Sequence, residues 1–322
     1  MEEVKVSVIM PFYNEEKYIS LAIDSILAQS YSAWELIIVN DGSTDGSEEI
    51  IKKYNDPRIR YFSYSPNRKR AHALNVGTEN ARGEYIVAFD ADDIARTNML
   101  ENEVKYLDSH PECVCAGGAR TLIDENGRII RKKVGDKYKT DIEIRTYELF
   151  GNCLSSGGSM YRHSIVRQYG LKYDEEAKIA QDYLFWIDML PCGKFAHIDK
   201  ITYYYRTGYL SQSQKISNAN KEWHDNFKRK IFMHAWTQRG YVLDETDIKF
   251  IHDFLYKSKA PWAMNDIKQG LSTYNKVYMQ SQKLNLEEKK LIIRYYKNCW
   301  RDSYLNFFKI RIVRILKAIL KR

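Results

Sequence analysis

Four short apolar runs, each running into a polar turn or a helical stretch, fill the first ninety residues: 4–11, 34–39, 59–64 and 85–89. Runs of that length with β-branched and aromatic residues read as buried strands. Between the first two, residues 15–29 place Ile19, Ala22, Ile23, Ile26 and Leu27 at helical spacing, one apolar face. Asp45 and Glu48, three apart, predict a capping box at the start of a second helix. A third helix is expected over about 70–81, stopping near Gly83. Strand alternating with helix through short connections predicts an α/β fold, a mostly parallel sheet flanked by helices.

In such sheets ligands bind beyond the carboxyl ends of the strands. Three polar features fall there: Pro11-Phe12-Tyr13-Asn14-Glu15, Asn40-Asp41-Gly42-Ser43 and Asp90-Ala91-Asp92-Asp93. The last puts three carboxyls within four residues. One aspartate after a strand is an ordinary cap or turn residue. Three repel one another, and a divalent cation relieves that cost. Mg2+ and Mn2+ favour carboxylate oxygens and share coordination with phosphates. Asp41 alone reads equally as an Asx turn before Gly42, and Asp182 alone as the cap of a helix over 182–190. Neither a GxGxxG turn nor a GxxxxGK[ST] loop is present, so a nucleotide here would be held by carboxylates rather than a glycine cradle.

Beyond about residue 113 the pattern changes to short strands, a hairpin around Asp124-Glu125-Asn126-Gly127 and a Gly- and Ser-rich loop over 152–159. A strand is expected over 195–206, and from about 215 the chain reads as helical. His72 and His163 read as structural histidines and Trp186 as core. The net charge of +8 is concentrated at the end. Residues 290–322 hold ten Lys or Arg against Asp302, a local +9, which argues against a global nucleic-acid surface. Residues 305–322 set Arg311, Arg314, Lys317, Lys321 and Arg322 opposite Leu305, Phe308, Ile312, Ile315, Leu316 and Ile319. That pattern suits a terminal helix packed on the domain with a solvated basic face, and suits better a helix lying on an anionic membrane surface. Five cysteines without a CxxC pair, and an acidic rather than basic N-terminus, suit a reduced cytoplasmic setting. No run of apolar residues is long enough to span a membrane.

Together SVIMPFYNE, VNDGSTDGS, ARGEYIVAFDADD and QDYLFW, in that order, resemble the inverting glycosyltransferase family 2 over about residues 4–210. The resemblance implies the GT-A fold, with a catalytic domain over 1–214 and a helical C-terminal region over 215–322. The nucleotide-binding half would cover about 1–112 and the acceptor-binding half about 113–214. It implies a nucleotide-sugar donor, a UDP-hexose or UDP-N-acetylhexosamine, and Mn2+ or Mg2+. The acceptor would be a glycan or lipid-linked oligosaccharide at the inner face of the cytoplasmic membrane. Carried over residue by residue, Pro11, Tyr13, Glu15, Asp41, Arg70, Asp90 and Ala91 would line the nucleotide pocket. Asp92 would hold the metal, and Asp182 would be the general base. The same pocket without that base would make a sugar-nucleotide binding or scaffolding protein, so retention of Asp182 argues for catalysis. Three positions depart from the family pattern: Gln181 replaces a glutamate before the base, Leu74 an arginine before Asn75, and Gly208 closes a Tyr-Arg-x-His motif without its histidine.

Overall fold

A computed structural model describes residues 3–135, 137–208, 219–256 and 264–294. The chain divides into two compact units, Met1–Ile144 with Asn152–Ala219, and Arg145–Gly151 with Asn220–Arg322.

The first unit is built on one sheet. Strands β1 (Val6–Phe12), β2 (Trp34–Asn40), β3 (Ile59–Ser63) and β4 (Tyr85–Ala88) run parallel in the order β3-β2-β1-β4. Every residue of β1, β2 and β4 is buried, which is why these strands read as continuous apolar runs rather than alternating ones. Helix α1 (Ile19–Leu27) buries Ile19, Ala22, Ile23 and Ile26, the face its spacing predicts. Each large side chain so covered contributes roughly 1.5–3 kcal/mol. α2 (Ser47–Ile51) is shorter than a capping box would give. Its N-cap is Gly46, and Asp45 instead accepts from the amides of Ser47 (3.1 Å) and Glu16 (3.1 Å). The side chain that was expected to start a helix ties two strand-end loops together. α3 (Arg70–Asn80) follows β3.

Parallel order stops at β4. After β5 (Ile94–Ala95) and α4 (Met99–Ser109) come β6 (Cys113–Ile123), β7 (Ile129–Val134), β8 (Ser159–Arg162) and β9 (Lys194–Arg206). β8 inserts antiparallel between β4 and β6, β9 runs parallel to β6, and β5 pairs antiparallel with β9. β6 and β7 form the expected hairpin, turned by Gly127 at φ +81°. The expected α/β architecture is present, parallel through its first four strands and mixed beyond them, where β6 and β9 form one further parallel pair. α5 (Asp141–Tyr147) follows β7, α6 (His163–Tyr169) follows β8, and the predicted helix near Asp182 is α7, Gln181–Met189.

In the second unit, helices Lys221–Gln238, Glu245–Tyr256 and Met264–Gln280 carry a core that includes Ile231, Phe232, Trp236, Ile248, Ile251 and Val277. Asp244 and Asp247 form a reciprocal capping box, each side chain accepting from the other's amide (2.9 and 3.2 Å). The basic amphipathic segment 305–322 lies outside the described residues. Among those residues no helix is long and apolar enough to cross a membrane.

Candidate active site

The carboxyl ends of β1, β2 and β4 bring the three polar features to one rim. The β1 and β2 ends share a ladder that runs to Phe12 opposite Asn40, and the Asp41 amide donates to the Phe12 carbonyl at 2.9 Å. Pro11 is buried within that ladder opposite Val39, and Tyr13 is half-buried just past it. The two loops are laced together. Asn14 donates its amide to Ser43 Oγ (3.0 Å) and accepts from the Thr44 amide (2.8 Å), while the Glu15 amide donates to Ser47 Oγ (2.9 Å). Asp41 is buried, and its Oδ1 accepts from the Arg68 amide at 2.7 Å. Gly42, at φ +75°, allows the turn that follows; a Cβ there would sit 3.0 Å from the Asn67 amide nitrogen.

Arg70 opens α3 after Lys69, a non-glycine residue at φ +78°. Its Nε and Nη2 both donate to Asp90 Oδ1, at 2.9 and 2.6 Å. Burial works against this cation, but the Asp90 and Asp182 carboxylates outweigh it and hold the guanidinium above its ordinary pKa. Arg70 is therefore the member of the basic run 68–70 that meets the acidic cluster. Arg68 instead points its side chain toward Glu175 at 3.8 Å.

Asp182 is the second residue of α7 and follows Ala180, another non-glycine residue in the left-handed region (φ +54°). Its Oδ2 accepts from Asn152 Nδ2 at 3.0 Å. Burial raises its pKa; the Arg70 cation opposes the rise and the Asp90 charge adds to it. Asp90, Arg70 and Asp182 thus form one electrostatic group, assembled from three distant segments. Two residues in positive-φ conformations flank it, as is common where a fold holds functional groups against local preference.

Within the acidic turn the three carboxyls differ. Asp90 is a third exposed and bonded to Arg70. Ala91 packs its methyl into the hydrophobic core. Asp92 is pushed up to about 7 by burial and then by the Asp90 charge. Asp93 is buried, and burial together with Asp92 raises it well above the carboxylate range. Asp93 Oδ1 accepts from the Arg206 amide at 2.8 Å, while its buried Oδ2 has no hydrogen-bond partner.

Arg206 and Ser156 are two residues that sequence reasoning did not assign to the site. Arg206, buried, donates Nε to the Asp92 carbonyl (2.8 Å) and Nη1 to the carbonyls of Asp124 (3.1 Å) and Glu125 (3.2 Å), with its guanidinium 4.3 Å from the Tyr18 ring. Ser156 Oγ donates to the Ala88 carbonyl at 3.2 Å and lies 3.4 Å from Arg70 Nη2. The glycine- and serine-rich loop is packed, with Leu154, Ser156 and Ser159 buried. The one available signal for Arg206 was its place in the Tyr-Arg pair that lacks the following histidine.

The departures are locally satisfied. Gln181 is buried and donates to the Ala177 carbonyl (2.9 Å). Asn75 donates to the Tyr173 carbonyl (2.9 Å) and accepts from its amide (2.9 Å). The two histidines have structural contacts, His72 to Glu175 Oε1 (3.0 Å) and His163 to the Gly83 carbonyl (3.1 Å). Trp186 is fully buried.

Among the described residues no three His, Cys, Asp or Glu groups form a metal cage. The donors on the rim are carboxylate oxygens, and one of them, Asp93 Oδ2, is buried without a partner. That set fits Mg2+ or Mn2+ binding in which substrate phosphate and water complete the shell.

This fold is also found in solved glycosyltransferase structures. S. aureus TarS 1–349 in complex with UDP-GlcNAc aligns over 94% of this chain and 89% of its own, with TM-score 0.64 and 20% identity. A mannosyltransferase from Pyrobaculum calidifontis, solved with GDP-Man and Mn2+, aligns over 94% and 87%, with TM-score 0.56 and 16% identity. Likeness at these identities shows a shared fold. An uncharacterized glycosyltransferase of Methanocaldococcus jannaschii is 36% identical over 224 residues, 67% of this chain and 76% of its own. The family model "Glycosyl transferase family 2" matches residues 7–170, and the chain belongs to that family.

Proposed function

We propose that the protein moves a sugar from a nucleoside-diphosphate donor, a UDP-hexose or UDP-N-acetylhexosamine, to a hydroxyl of a glycan or lipid-linked oligosaccharide, with inversion at the anomeric carbon. The UDP-GlcNAc held by TarS supports that donor class. Pro11, Tyr13, Glu15, Asp41, Arg70, Asp90 and Ala91 border the nucleotide, and the packed 1–112 segment supplies all of them. Asp92 would hold Mn2+ or Mg2+, which would neutralise charge developing on the departing diphosphate.

The observation that carries the reading is Asp182 facing the Arg70–Asp90 pair from a separate helix. Burial lifts its pKa, which makes its carboxylate a stronger base than a solvated aspartate. Asn152 holds one oxygen and fixes the carboxyl's orientation. Asp182 takes the proton of the acceptor hydroxyl as that oxygen bonds to the anomeric carbon and the bond to the diphosphate breaks. Arg70 holds Asp90 in place, and Arg206 braces the turn that presents Asp92.

Asp182→Asn keeps size and one of the two hydrogen bonds that the carboxylate accepts, and removes the base. Transfer should fall roughly 10²- to 10⁴-fold while donor binding, measured by calorimetry, stays near the parent value. A parent-like rate would overturn the assignment.

A further inference from the structure

Residues 128–134 read Arg-Ile-Ile-Arg-Lys-Lys-Val, and no acid occurs between 126 and 135. They include β7, which among the described residues pairs with β6 alone. Neighbouring residues in a strand point to opposite faces. The ladder to β6 slips between Ile129 and Arg131, a bulge at Ile130, so the alternation is broken there. Neither isoleucine is buried; they are 52% and 57% exposed. Residues 129–133 are all exposed, while β6 beside them stays largely buried and paired with β9 as far as Ile123. β7 is an open edge of the sheet.

Its cations are mostly uncommitted. Lys133 pairs with Asp199 at 2.9 Å, but Arg128, Arg131 and Lys132 make no ion pair among the described residues. Charges on an edge strand commonly serve to block edge-to-edge pairing. That accounts for the lysines and arginines, not for two adjacent exposed isoleucines at their centre. Apolar side chains ringed by free cations match the interfacial region of an anionic bilayer, where the apolar groups enter and the cations meet headgroups.

We propose that this edge strand, centred on Ile129, Ile130, Arg131 and Lys132, is a docking surface for an anionic lipid bilayer. It is separate from the basic segment near the C-terminus. The turn that leads into it is joined to the acidic rim through Arg206, which bonds the Asp124 and Glu125 carbonyls on one side and the Asp92 carbonyl on the other. Docking there brings a lipid-linked acceptor toward the carboxylates. That use of the surface rests on the acceptor class proposed above; the docking itself does not. A soluble anionic glycan would use the cations but has no need of the isoleucines.

The test is sedimentation of the full chain with phosphatidylcholine vesicles, with and without phosphatidylglycerol. Two double variants are compared with the parent: Arg131→Glu with Lys132→Glu, and Ile129→Ser with Ile130→Ser. All four side chains are exposed, so melting temperature and donor binding should hold. Where a pair lowers the melting temperature, Lys132→Ser or Ile130→Ser alone replaces it. Each pair is expected to reduce partition onto the anionic vesicles by about tenfold, with little binding to neutral vesicles in any form. Parent-like partition of either pair overturns the proposal. So does loss of dextran sulfate binding with vesicle partition unchanged, which assigns the surface to a soluble polyanion. Sugar transfer to a water-soluble acceptor should be unchanged in both pairs. Loss of transfer in the parent as well would strike the catalytic reading and leave the docking result standing.

Discussion

Arg70 stands between two carboxylates with different tasks. It bonds Asp90 directly and reaches Asp182 only electrostatically, while burial leaves Asp182 more basic. Elsewhere the first unit buries a carboxyl for which no such partner is present. Glu103, on the inner face of α4, is fully buried with neither oxygen hydrogen-bonded, and burial raises its pKa well above the ordinary 4.5. The folded state therefore holds this proton more tightly than the unfolded chain does. The resulting stability is full below about pH 4.5 and is lost as pH rises toward the folded value. Glu103→Gln removes that titration. Chemical denaturation from pH 5 to 8 should show a smaller decline in unfolding free energy for the variant. A parent-like decline would mean that Glu103 is not the group responsible.

The site depends on elements meeting at the right angle, and the Asp41-Gly42 turn is where that is most exposed to a single methyl. Gly42→Ala forces a left-handed conformation, at about 1–2 kcal/mol, and crowds the Asn67 amide. Because Arg68 next to that segment bonds Asp41, donor affinity should fall together with the melting temperature. A fall in stability with unchanged donor affinity would separate the turn from the pocket. The strand ends were legible because buried parallel strands are short unbroken apolar runs, and such sheets place polar features at their carboxyl ends. The motif pattern singles out Asp182 and Asp92 as candidates. It does not reach the contacts of Arg206 and Ser156, which are made to main-chain carbonyls and side chains 68 or more residues away in the chain and which no local spacing encodes. The capping box failed for a related reason: Asp45 had a better partner in a neighbouring loop.

At the scale of the whole chain, every proposed nucleotide contact lies in the first unit, at the carboxyl ends of its parallel strands, in the loops that follow them or at the start of α3. A ligand that binds only the folded form stabilises it by RT ln(1 + [L]/Kd), about 2.7 kcal/mol at a hundredfold excess over Kd. For a unit of this size that corresponds to a rise of roughly 5–10 °C in melting temperature. A panel of UDP- and GDP-sugars, each with Mn2+ and again with a chelator, should give its largest shift with one UDP-sugar. The chelator should remove most of that shift, because Asp92 would then face the diphosphate without the cation. Asp92→Ala should reproduce the chelator result in the presence of Mn2+. If the same sugar shifts the melt equally with and without metal, and Asp92→Ala changes nothing, the diphosphate is held by Arg70 and its neighbours alone. If no nucleotide sugar shifts the melt, the proposed donor class is wrong.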